Sequence, residues 1–261
     1  MSPRATPLDD LWWWLDREHG LAPGFTWRGP DGTNDFSPAA AERAQASWER
    51  VVGDLGASAL VQCEQVHGAQ VATLTTPPLS PRLVVPLCDA LVTTSPGVAV
   101  AVRVADCLPL LLWCPCGVVA AVHAGWRGLA AGVIAKALRE IERLGFAPGD
   151  LWAALGPAIG PCCFQIRPDV AEKLRALPDG GSHVTRRQGA VFADLPGLAR
   201  AALMSLGVPE GHIKAPGACT KHDAERFFSY RRDGQTAGRQ VGAIALVARD
   251  YPAGFPPANG P

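Results

Sequence analysis

The sequence predicts a mixed α+β fold in one domain covering residues 1–261, and three observations point that way. Residues 88–124 carry near-continuous apolar runs, broken at Ser-Pro-Gly and Cys-Pro-Cys-Gly, as strands covered on both faces do. The period then changes. In "LAAGVIAKALREIERLG" the residues Leu129, Val133, Ala137, Ile141 and Leu144 recur at helical spacing, and Gly145 ends the run. Further strand-like and helix-like stretches alternate beyond this strand, glycine-rich turn and helix, with no internal repeat and no linker long enough to separate two domains. At 261 residues and 48% hydrophobic content the chain has ample material for a core.

In chain order, the Trp-rich start is followed by "GFTWRGPDGTNDFS", whose Gly, Pro, Asp and Asn density marks a loop. A helix follows in "SPAAAERAQASWERVVGDLG", opened by Ser37 and Pro38 and closed near a glycine. "SALVQCEQVHGAQVATL" alternates apolar and polar residues about His67-Gly68, the pattern of a hairpin of two short strands. "TTPPLSPRLVVP" reads as a proline-rich connector, and the apolar region after it as three β-rich runs. "DLWAALGPAIGPCCFQI" is strand-like with a break, "RPDVAEKLRAL" a short helix, "PDGGSHVTRRQGAVFADL" a loop and "PGLARAALMSLG" a helix. A loop rich in Lys, Arg, Asp and aromatics leads to a final strand, and the tail "YPAGFPPANGP" is expected to be disordered.

The charge balance is neutral, 24 Lys plus Arg against 24 Asp plus Glu, so no whole-protein field exists to hold nucleic acid or an anionic membrane. An anionic ligand must be met by a local cluster. The N-terminus lacks the features of a signal peptide, which points to a cytoplasmic protein. Arg103, Asp106 and Pro109 interrupt the most apolar region before it reaches the roughly 20 apolar residues of a membrane span. The eight cysteines are accordingly expected to be reduced thiols, most of them buried and inert.

Candidates for chemistry stand at the ends of the apolar runs. His67 directly precedes Gly68, and Cys107 and His123 stand two residues before Pro109 and Gly125, where side chains leave a sheet for its loops. Imidazole and thiolate are the ligands zinc prefers, and three of them with an open position define a catalytic site, although the non-local spacing alone is a weak signal. The turn "HAGWRGLAAG" places Gly125 and Gly128, which permit tight backbone geometry, before a helix start that favours anions; Arg127 adds a forked charge. A plain strand-to-helix connection with Trp126 as a packing plug fits that spacing equally well. Neither Cys114 with Cys116 nor Cys162 with Cys163 has zinc-finger spacing, and "GPAIG" lacks the ending of a phosphate loop.

Taken in order, "QVHG", "CDALVT", "RVADCLPLLL", "AAVHAGWRGL", "LGPAIGPCCFQI", "CT" and "FFSYRRDG" resemble the YfiH or laccase-domain family over residues 58–247. The family's names include multicopper polyphenol oxidase, purine nucleoside phosphorylase and peptidoglycan editing factor. The resemblance implies a four-layer α/β/β/α sandwich of mixed sheets with outer helices, like that of deamidating toxins, and a monomer. It implies that His67, Cys107 and His123 bind a metal, zinc ahead of copper. "GFTWR" resembles a degraded form of the family's N-terminal motif, which makes Arg28 a site residue, and Arg43 matches a helix position; much of the family's glycine-rich segment is missing between them.

Three activities are compatible with this set. A zinc-dependent purine nucleoside enzyme would phosphorolyse adenosine, inosine, guanosine or methylthioadenosine, or deaminate adenosine. In that reading Arg28, Arg43 and Arg127 clamp phosphate, Phe227, Phe228 and Tyr230 stack the base, Arg231 adjoins it, and Asp106 or His222 moves protons. The second is a metal-free hydrolase acting on peptidoglycan precursors, with Cys107 attacking and His123 as base. The third, copper-dependent phenol oxidation, needs many histidine ligands, and the chain has six histidines in all.

Overall fold

The computed structural model describes residues 12–15, 21, 23–215 and 217–246. Two six-stranded sheets dominate it. The first runs in the order β1 (Trp12–Leu15), β2 (Gly24–Thr26), β15 (Gln240–Ala245), β7 (Val98–Val104), β3 (Ala59–Cys63) and β5 (Arg82–Val85). The second runs β14 (Ile213–Lys214), β10 (Trp152–Leu155), β8 (Leu108–Cys114), β9 (Val118–Ala124), β6 (Ala90–Thr93) and β4 (Val71–Leu74). Both sheets are mixed: β3 is parallel to β5 and β7 while β15 is antiparallel to β7, and β4 is parallel to β6 while β8 is antiparallel to β9.

Side chains on a strand alternate between faces, so each continuous apolar run feeds two layers of core. On β7, Val98, Val100 and Val102 enter the layer between the sheets, where they meet Leu91, Leu111, Val119 and Ala121. Ala99 and Ala101 point the other way, into a cluster with Trp48 and Val51 of α1 (Gln45–Asp54), Leu55 just past its end, and Phe36. On β8, Leu108, Leu110 and Leu112 instead face α3 (Val133–Arg143), which buries Val133, Ile134, Ala137, Leu138 and Ile141 there, with α5 (Leu195–Ser205) beside it. Helix, sheet, sheet and helix are thus stacked as expected. The apolar stretch 98–124 is spent on strands, and among the described residues no helix is long and apolar enough to cross a membrane.

Several elements differ from the sequence expectation. The two strands about His67 are real, but they do not pair: β3 lies in the first sheet and β4 in the second. Alternation reveals a strand without revealing its partner. The proline-rich connector contains β5, a half-exposed edge strand parallel to β3. The supposed loop after α4 (Pro168–Arg175) is a hairpin of β12 (Val184–Arg187) and β13 (Ala190–Ala193), closed by Gln188-Gly189 with positive φ at both residues, and β13 also pairs with β11 (Gln165–Ile166). The helical run after His123 is split at Gly132 (φ 77°) into α2 (Trp126–Ala130) and α3. Cys114 and Cys116 form a disulfide rather than remaining thiols, because the turn from β8 to β9 brings their Cα atoms to 5.0 Å; six free cysteines remain. The C-terminal tail lies outside the described residues.

Candidate functional site

Two chain segments cross from one sheet to the other at the same end of the sandwich. Residues 64–70 join β3 to β4, and Ala105–Asp106–Cys107 join β7 to β8. The second crossing falls where Asp106 interrupts the most apolar region of the sequence. Each crossing holds a non-glycine residue with positive φ, His67 at 60° and Asp106 at 90°. Such conformations cost free energy and need support from their surroundings. β9 delivers His123 at the same end, with Pro109 as its antiparallel partner on β8.

His67, Cys107 and His123 therefore converge, with ligand atoms all within 4.8 Å of one another. The two imidazole rings meet edge to face, their centroids 4.8 Å apart. His123 is buried and His67 exposed, so the cluster opens to one side. Burial alone would push the Cys107 thiol up, but the charge of His123 and hydrogen bonds from both histidines prevail and bring it down to about 6. Burial would likewise lower His123, yet the Cys107 thiolate and the Asp89 carboxylate raise it to about 9. Between those values the metal-free pair is thiolate and imidazolium.

Asp89, which lies in the "CDALVT" stretch, was not singled out for a role from sequence. Its carboxylate is wholly buried and Oδ1 lies 2.7 Å from His123 Nδ1. It also accepts the backbone N–H groups of His67 at 2.9 Å, Gly68 at 2.7 Å and Val66 at 3.3 Å. One side chain thereby holds the strained His67 turn and fixes which His123 nitrogen faces the cluster. Burial raises its pKa, but the His123 and backbone hydrogen bonds outweigh this and leave it below the usual carboxylate range.

The glycines of "HAGWRG" serve close approach rather than unusual backbone angles. Gly125 has an ordinary extended conformation (φ −72°, ψ 167°), but a Cβ there would stand 2.8 Å from Cys107 Sγ. At Gly128 a Cβ would stand 2.9 Å from the Gly68 carbonyl oxygen. Gly125→Ala is accordingly expected to leave the fold intact while displacing the thiolate, weakening metal binding by about tenfold or more. Competition with a chromogenic chelator, alongside circular dichroism, checks both halves of that outcome.

The cluster lies in a cavity of about 680 Å³ that also receives Asp106, Arg127, Tyr230 and Arg231. Seven of the residues proposed from sequence are thus together. Arg103, Arg239 and Phe164 join them without having been singled out, so four guanidinium groups line the same space. Arg127 stacks on Trp126 at 4.4 Å and Arg231 on Phe164 at 5.3 Å, which holds both groups against aromatic faces. Burial, and then the neighbouring charge of Arg239, lower the pKa of Arg103, as expected where an anion would relieve the repulsion. Both Asp106 oxygens are engaged: Oδ1 accepts from Thr220 Oγ1 at 2.7 Å and Oδ2 from the Arg231 N–H at 2.6 Å, an anchoring arrangement at the foot of α6 (Tyr230–Asp233).

Arg28, Arg43 and Phe228 are not brought into this cavity. Arg28 donates to the Ala224 carbonyl at 2.7 Å and stacks on Phe228, whose ring is buried beside Gly238. Arg43 is exposed in the turn ahead of α1, Phe227 is wholly buried, and His222 lines a separate cavity with Cys219. The residue types were suitable, but their positions depend on how the N-terminal segment and the 219–229 loop pack.

Fold and site together define an α+β two-sheet protein whose sheet-crossing loops assemble an open Cys/His cluster in an arginine-lined cavity. The sequence profile described as multi-copper polyphenol oxidoreductase laccase matches residues 34–247. The chain belongs to this family. It is 38% identical over 197 residues to the purine nucleoside phosphorylase YlmD of Geobacillus stearothermophilus, covering 70% of this chain and 71% of that one. It is 40% identical over 189 residues to the purine nucleoside phosphorylase YfiH of Escherichia coli, covering 72% and 74%. Among solved structures, YfiH of Bacillus licheniformis superposes with a TM-score of 0.79 at 26% identity, covering 89% of this chain and 98% of that one. YlmD of Geobacillus stearothermophilus gives 0.76 at 30% identity, covering 87% and 92%.

Proposed function

We propose that the protein is a zinc-dependent purine nucleoside enzyme of the cytoplasm, a single-domain monomer, that phosphorolyses adenosine, inosine, guanosine or methylthioadenosine and also deaminates adenosine. The observation that carries the reading is the pairing of a three-ligand Cys/His cluster with four arginines in one cavity. Relatives named as purine nucleoside phosphorylases support it.

The donor set fits zinc: two imidazoles and a thiolate whose pKa is already depressed, with one side open to the cavity. His67, Cys107 and His123 would hold the ion, which would supply Lewis acidity at that open side. Phenol oxidation by several coppers receives less support, since only two histidines line the cavity among the described residues.

Phosphorolysis requires phosphate to be held against the ribose C1′ while positive charge develops on the sugar. Arg103, Arg127, Arg231 and Arg239 fit this task in place of the Arg28 and Arg43 expected from sequence. Tyr230, exposed at the cavity, offers a face for the purine. Asp106 acts by positioning Arg231, because both of its oxygens already accept hydrogen bonds.

The test is metal content by elemental analysis, paired with phosphate-dependent adenosine turnover before and after chelation. About one zinc per chain and chelator-sensitive release of adenine are expected. The Cys107, His123 and Asp89 chain also favours a second reading, a cysteine hydrolase in which His123 is the base and Asp89 its orienting group. Activity that survives chelation but is lost to iodoacetamide would select that one.

A further inference from the structure

A second cluster of metal-ligating side chains lies apart from the first. The sulfur atoms of Cys162, Cys163 and Cys219 are all within 4.8 Å of one another. Cys162 and Cys163 belong to the loop between β10 and β11, and Cys219 to the segment after β14. Backbone pairing fixes the two segments together: Ala158 and Cys219 form a parallel bridge, and the Thr220 N–H donates to the Ala158 carbonyl at 3.0 Å. The Gly160 N–H donates to Cys219 Sγ at 3.2 Å, and Cys162 Sγ lies 3.6 Å from Cys163 Sγ. A Cβ at Gly160 would stand 3.2 Å from Cys219 Cβ and 3.4 Å from Cys162 Sγ, so this glycine permits the close approach.

We propose that Cys162, Cys163 and Cys219 form a thiolate site for a soft, low-coordinate d10 metal ion of the cuprous class, separate from the His67, Cys107 and His123 cluster. The donors are all sulfur, which selects soft ions over magnesium, calcium or manganese. Structural zinc takes four ligands, whereas three sulfurs suit a trigonal cuprous ion. Cys162 is exposed and the other two are half-buried, which gives an ion a way in. Burial together with the neighbouring sulfurs pushes the Cys162 thiol up to about 12, so this thiol gives up its proton only when a metal takes its place. Binding forms one copper–sulfur bond and releases one proton for each thiol engaged, and the ion enters and remains as Cu(I). The site adjoins the large cavity, because Ile159 donates its N–H to the Asp106 carbonyl at 2.9 Å and Thr220 holds the Asp106 carboxylate.

The experiment titrates the reduced, zinc-loaded full chain anaerobically with Cu(I) against bicinchoninate, followed by alkylation and peptide mapping. One tight equivalent is expected, with Cys162, Cys163 and Cys219 protected from alkylation. Cys107→Ala should retain that equivalent, while Cys162→Ser and Cys219→Ser should each weaken it by more than the roughly tenfold typical of losing an outer partner. Unprotected cysteines, unchanged affinity in Cys219→Ser, or loss of the equivalent in Cys107→Ala would overturn the assignment. So would zinc held at these sulfurs and lost in His222→Ala, or a Cys162–Cys219 disulfide persisting in the reduced protein. The mapping is read on the unaltered chain, so it decides the matter even if a variant fails to fold.

Discussion

Cys107→Ala is expected to abolish stoichiometric metal binding at the His67, Cys107 and His123 cluster and to reduce phosphate-dependent nucleoside turnover to background. The thiolate is the one anionic donor of that cluster, and the depression of its pKa to about 6 shows how strongly the two imidazoles favour its charged form. Alanine leaves two neutral nitrogen donors and a gap, too few for an ion that takes three protein ligands in catalytic sites. Cys107 is half-buried and its neighbours on β8 are fully packed, so the fold should survive, as far-ultraviolet circular dichroism would show. Elemental analysis of the purified variant reads the loss directly. Retention of both metal and turnover would remove the zinc nucleoside scheme, while retained metal with lost turnover would favour the cysteine as nucleophile.

Much of the fold could be read in the sequence, because burial on both faces leaves a clear signature. The run Val98–Val104 is apolar at almost every position since its odd and even residues fill different layers. Periodicity does not say which strand pairs with which. The two strands flanking His67 look like a hairpin, and only the sheet order shows the crossing that strains His67 and carries it to Cys107. Asp106 is visible as an interruption of an apolar region, but nothing in the sequence says that the chain changes sheets there.

The site was legible where a side chain acts through its own identity. Cys107, His123, His67, Arg127, Tyr230 and Arg231 are all present in the cavity. It was not legible where the role depends on a distant neighbour. Arg103 and Arg239 stand on adjacent antiparallel strands or just beyond one, far apart in sequence, and each looks like an ordinary charge beside an apolar strand. Arg28 and Arg43 carried the right charge and were led elsewhere by packing. Asp89 was the least visible, since a lone aspartate next to cysteine has no spacing that announces a buried acceptor of four hydrogen bonds.

That residue carries the second large effect. Asp89→Ala is expected to destabilise the protein by about 3 to 5 kcal/mol, the cost of breaking a buried charged pair. Three backbone N–H groups and the His123 ring would lose an acceptor that is itself wholly buried. The His67 turn, with its φ of 60°, would lose what holds it. Metal affinity should fall by about 10 to 100-fold, as when other outer partners of metal-bound histidines are removed. Asp89→Asn keeps the shape and one acceptor oxygen, so it should lose less stability while still favouring the wrong His123 tautomer. The pH dependence separates charge from shape. The folded-state pKa of Asp89 is depressed, so its contribution is complete above the unfolded value of about 4 and is lost as pH falls through the lower folded value. Denaturant midpoints should therefore converge for the parent and Asp89→Asn only at acid pH, and stay apart near neutrality. Equal midpoints at neutral pH would mean that Asp89 supports neither His67 nor His123 through its charge.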